Sequence, residues 1–121
     1  MNKESRSIAQ IKGDIKSAGQ SFLGMKMADL LTRVKELDDR SLKNKLIEEY
    51  YLNQTEYKDT NIAGTRTRVN SAMRIIRAEK VIFALEQIDG SNPLVSPKAV
   101  AKAKETINKI KSGELKLPEL N

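Results

Sequence analysis

Residues 65–88, TRTRVNSAMRIIRAEKVIFALEQI, decide the fold of this chain. At about 100° per residue, Val69, Ala72, Ile76 and Phe83 line one apolar strip of a helix, while Ile75, Ala78, Ile82 and Leu85 line a second. One neighbour covers one stripe, so a helix that is apolar on two sides belongs at the centre of a bundle. The remaining side carries Arg66, Arg77 and Lys80 within about 40° of one direction, with Arg74 nearer its edge and Asn70 among them. The stretch predicts a long central helix with two packed flanks and one cationic flank.

Toward the N-terminus, residues 5–22 place Ile8, Ile11, Ile15, Ala18 and Phe22 at alternating steps of three and four, the seam of an amphipathic helix. Gly13 and Gly19 weaken that helix by up to about 1 kcal/mol each relative to alanine, and Gly24 is the expected break. Met27, Leu30, Leu31, Val34 and Leu37 repeat the pattern over 25–37. The run from Asp38 to Ser41 then supplies turn and N-cap chemistry. A third helix follows at 40–52, with Leu42, Leu46, Ile47, Tyr50 and Tyr51 at helical spacing. Residues 53–64 are polar and read as a loop; the glycosylation sequon at Asn53 carries no weight beside a start, MNKESRS, that shows no export signal.

Toward the C-terminus, DGSNP at 89–93 stops the central helix. Ser96 and Pro97 start the last one as N-cap and first helical residue. Val100, Ala103, Ile107 and Ile110 face inward, Ser112 and Gly113 close the helix, and the tail 113–121 is expected to fray. No internal repeat or low-complexity segment interrupts this pattern. The expectation is an all-α fold, one domain over 1–121, built as a bundle of about five helices around the long central one.

A chain of 121 residues fits one domain and can bury about two thirds of its unfolded surface without staples. It has no cysteine and no histidine. The first absence excludes disulfides, thiol catalysis and cysteine-held zinc or iron–sulfur sites; the second removes the usual general base near neutral pH and the commonest metal ligand. The adjacent acids Asp38–Asp39 and Glu48–Glu49 diverge by about 100° on a helix and cannot serve one substrate together. Glu79 and Glu86 do share a face, between the two apolar strips, where a carboxylate could be forced inward and its pKa shifted. Nucleotide-binding glycine loops are absent. The chain is therefore expected to be no enzyme, with no catalytic residue, metal or cofactor. No apolar run nears the ~20 residues of a membrane span, which predicts a cytoplasmic protein with no membrane partner.

The 22 basic and 16 acidic residues give a formal charge of +6 and a pI near 9.6, past the rough threshold for nucleic-acid binders. The surplus is spread along the chain, so a basic footprint must lie on helix faces. Arg66, Asn70, Arg74, Arg77 and Lys80 form one candidate, with guanidinium forks for phosphates or bases. The plainer account of the same residues is a solvated face whose arginines pair with Glu79, Glu86 or another helix. Lys98, Lys102, Lys104, Lys109 and Lys111 on the last helix attract phosphates non-specifically or simply aid solubility. Neither Ile8–Gly13 nor Ala63–Gly64 fits a helix-turn-helix, because the first puts Gly19 at a core position and the second has too polar a first helix. Tyr50, Tyr51 and Tyr57 suit either a partner interface or the rim of a core.

These readings predict a small basic helical module that binds nucleic acid, DNA-binding or regulatory in role, and contacts phosphates through an arginine-rich helix face. The alternative is a protein–protein interaction module, such as an adaptor, inhibitor or assembly subunit, that uses Tyr50, Tyr51 and Tyr57 or the leucine-rich tail and touches no nucleic acid. A homo-oligomer is a further option, since amphipathic helices can leave an apolar patch for a second copy.

Overall fold

Seven helices form, and side-chain caps start four of them. In the computed structural model, which describes residues 1–121, they are α1 (Ile8–Ala18), α2 (Gln20–Thr32), α3 (Val34–Leu37), α4 (Arg40–Leu52), α5 (Ile62–Arg77), α6 (Val81–Glu86) and α7 (Pro97–Ser112), with no strand. Ser7 and Gln10 cap α1 reciprocally, each side chain accepting from the other's backbone N–H. Asp39 accepts the Leu42 N–H at 3.0 Å and Ser96 the Ala99 N–H at 3.2 Å. Gly113, in the left-handed region at φ 83°, closes α7. The chain is the all-helical bundle that its periodicity predicts, and no helix is long and apolar enough to cross a membrane.

The long central helix is corrected. Residues 65–88 do not form one rod: α5 ends at Arg77, Glu79 takes a left-handed φ of 57°, and the chain restarts as α6 at Val81. The physical reason lies in the two apolar strips. α5 packs against α1 and α4, whereas α6 packs mainly against α7, so a straight helix could not satisfy both halves at once. The N-terminal segment secures the break: the Glu4 N–H donates to the Arg77 carbonyl at 2.9 Å, and Lys3 meets Glu79 at 3.0 Å.

Two glycines exchange their expected roles. The break after the first helix falls at Gly19, φ 85°, rather than at Gly24. Gly24 instead lies inside α2 at its crossing with α7, where an added Cβ would sit 2.5 Å from the Ala99 carbonyl oxygen. The tail also differs from the frayed end expected of it. The Asn121 N–H donates to the Met1 carbonyl at 3.2 Å, and the Lys3 N–H donates to the Asn121 carbonyl at 3.0 Å. Leu115 packs against the core.

The core centres on Phe22, which meets the rings of Tyr50 and Tyr57 edge-on at centroid distances of 6.0 and 5.0 Å. Leu23, Met27, Leu46, Ile47, Val69, Ile75 and Leu85 are buried with it.

Candidate nucleic-acid interface

α5 begins at Asn61, whose side chain accepts the Ala63 N–H at 2.9 Å. Its buried side consists of Val69, Ala72, Ile75 and Ile76. On a projection of about 100° per residue, Arg66, Asn70, Met73 and Arg77 fall within about 60° of one another. Met73 is 5% exposed and Asn70 and Arg77 are half-buried, so this row runs along the edge of a packed seam and reaches solvent at Arg66.

The neighbour across that seam is α4, which packs against α5. Leu46, Ile47 and Tyr50 are its buried residues. Lys43 stands on the same side of α4 by the same projection, so it continues the apolar seam with a cation. Burial holds the Lys43 amine below its usual lysine range, and the positive charges of Arg77 and Arg66 depress it further. None of the three takes part in any of the chain's ion pairs. The Nε of Arg77 is buried without a hydrogen-bond partner, the one buried side-chain nitrogen or oxygen in that state. The chain thus gathers Lys43, Arg66 and Arg77 with no counter-charge.

Other members of the predicted arginine face are placed elsewhere. Arg74 donates to the Asp14 carboxylate at 2.9 Å and to the Ser71 hydroxyl at 3.0 Å. Asp14 is buried and also takes two bonds from Arg6, at 2.7 and 3.1 Å, so Arg74, though partly exposed, is paired within an Arg–Asp–Arg group. Arg68 is engaged in the same manner, with Asp59 at 3.0 Å and the Ala18 carbonyl at 2.7 Å. Lys80 lies beyond the end of α5, where the left-handed turn at Glu79 breaks its register with Arg66 and Arg77. The helix break also removes the shared face of Glu79 and Glu86. Both are exposed and Glu79 pairs with Lys3, so neither is forced inward.

The tyrosine surface is corrected as well. Tyr50 is 1% exposed and Tyr57 8%. The Tyr57 hydroxyl donates to the Tyr50 carbonyl at 2.6 Å, and the Tyr50 hydroxyl donates to Asp29. Burial pushes the Tyr50 phenol far up, with the Asp29 carboxylate adding to the effect; burial followed by the Asp59 charge pushes Tyr57 up to about 12. Tyr51 alone stays half-exposed, its hydroxyl donating to the Thr60 carbonyl at 3.3 Å. Tyr50 shares its helix side with Leu46 and Ile47, and that is why it points inward.

Lys43 is the residue that sequence reading passed over. Its signal is a lysine at the head of the 43, 46, 47, 50 spacing, where an apolar side chain is the usual occupant. On α7, Lys98, Lys104 and Lys111 are exposed, and Lys109 pairs with Glu105 at 3.1 Å. No group of three or more acidic side chains gathers to hold a metal ion. No family model, no curated protein and no solved structure matches the chain.

Proposed function

We propose that this chain is a small basic nucleic-acid-binding module that contacts phosphates along the seam between α4 and α5. Arg66 and Arg77 act as guanidinium forks, Lys43 as a point charge beside them, and Asn70 as a neutral hydrogen-bonding neighbour. The observation that carries the reading is the gathering of these three cations without a carboxylate, one of them with a buried N–H unpaired. Arg6, Arg33, Arg68 and Arg74 all meet carboxylates and Arg40 stands exposed without an ion pair, so the seam is the exception in setting two uncompensated arginines around a half-buried lysine. The exception at the seam raises the free energy of the unliganded chain. Like charges repel there, and an unsatisfied buried donor costs about 1–3 kcal/mol. A phosphate relieves the repulsion, and its geometry matches a guanidinium fork.

The test is a mobility shift with DNA and RNA at two salt concentrations. Three phosphate contacts predict that affinity falls roughly 40-fold between about 50 and 200 mM salt. The Arg66→Ala/Arg77→Ala variant, its helicity checked by circular dichroism, should bind more weakly at low salt. Its affinity should fall only about 3- to 4-fold over the same range, the dependence of one remaining contact. A Lys104→Ala/Lys111→Ala variant on α7 should keep most of the binding. No shift with any nucleic acid at low salt would overturn the reading, and so would loss in the α7 variant with the seam variant unaffected.

A further inference from the structure

We propose that the partner of this seam is duplex DNA, held through its phosphate backbone alone and without regard to base sequence; this rests on the phosphate-binding reading above. Three observations lead there. First, the cations are held at fixed separations. Arg66 and Arg77 stand eleven residues apart within one uninterrupted helix, a rise of about 16 Å. The helix that carries Lys43 packs against α5, and Leu46, Ile47 and Met73 of the two helices are buried. A double helix presents its phosphates in an equally rigid row, whereas a single strand must lose chain freedom to match it.

Second, the seam offers no ring for an unpaired base. Phe22, Tyr50 and Tyr57 are buried and Phe83 is packed against the core; half-exposed Tyr51 stands about 80° round α4 from Lys43, its hydroxyl tied to Thr60. Single-strand binders draw much of their affinity from aromatic stacking, and the row of cations has no such contact beside it. Third, the row projects only at its N-terminal end, where Arg66 is exposed; Met73, between the two arginines, is covered, so α5 cannot lie along its length in a major groove about 12 Å wide as a recognition helix. Asn70 is the one uncharged hydrogen-bonding side chain in the row and is half-buried. Contacts therefore stop at phosphate oxygens, which position a protein without specifying sequence. Duplex RNA is the poorer fit, because it is recognised across the 2′-hydroxyls of a wide minor groove, for which this row supplies only the neutral side chain of half-buried Asn70.

Fluorescence anisotropy at low salt tests the inference with four length-matched probes: two DNA duplexes of unrelated sequence, one of their single strands, and the corresponding RNA duplex. The two DNA duplexes should bind within about twofold of each other. Each should bind about tenfold more tightly than the single strand, the size of one stacking contact forgone, and more tightly than the RNA duplex. A single strand or RNA duplex bound as well as the DNA duplexes, or a tenfold preference between the two duplex sequences, would overturn it while leaving phosphate binding intact. Failure of all four probes would instead remove the reading beneath it.

Discussion

Replacing Gly24 by alanine should destabilise this protein, and the same replacement at Gly13 should stabilise it, although both glycines lie inside helices. An alanine in a helix interior is favoured over glycine by about 1 kcal/mol. At Gly13, on the exposed side of α1, an added Cβ meets nothing within 4 Å. The full gain of about 0.5–1 kcal/mol is therefore expected there. At Gly24 the same methyl would stand 2.5 Å from the Ala99 carbonyl oxygen and 3.1 Å from its carbonyl carbon. Ordinary carbon–oxygen contacts lie at about 3.3–3.6 Å, so α7 must retreat by nearly 1 Å. The obstacle is backbone and cannot turn aside as a side chain would. Overpacking of this kind costs about 1–3 kcal/mol. Subtracting the helix gain leaves a net loss of up to about 2 kcal/mol, and because that gain is common to both variants they separate by about 2 kcal/mol. Urea unfolding followed by circular dichroism reads this directly. With a slope of about 1–3 kcal/mol per molar urea, the midpoints should differ by roughly 1 M at unchanged slope. Equal midpoints would refute the close crossing of α2 and α7.

Two further expectations concern titrating groups. Lys43→Met should stabilise the fold at neutral pH while weakening nucleic-acid binding. The folded chain holds the Lys43 amine below its ordinary 10.5, so the cost of charging it is present in full at neutral pH and fades as pH rises toward that value. The stability advantage of the variant should shrink over the same interval, and an advantage that grows with pH would contradict the placement of Lys43. Tyr57→Phe should cost about 1 kcal/mol through the lost bond to the Tyr50 carbonyl. Because the Tyr57 phenol is raised from 10.0 to about 12, its neutral form supports the fold below pH 10, and that support is lost between pH 10 and 12 as the unfolded chain ionises first. Stability measured against pH should fall less steeply there in the variant.

What the sequence alone determined is local. Capping at Ser7, Asp39 and Ser96, the left-handed stop at Gly113, and the three-and-four spacing of Ile8, Ile11, Ile15 and Ala18 depend on residues within one or two turns. They suffice to make the chain all-helical. The tertiary structure decided which helix continues and which arginine is free. Residues 65–88 have one unbroken apolar pattern, yet the second half had to turn at Glu79 to reach α7. Arg74 and Arg77 look alike in sequence; Asp14, sixty positions away, claims the first, while no carboxylate reaches the second. Lys43 becomes part of the site only because α4 lays it against α5. Periodicity records which side of a helix is apolar, but the charge that ends up opposite a given side chain depends on how distant segments pack, and no short-range pattern carries that information.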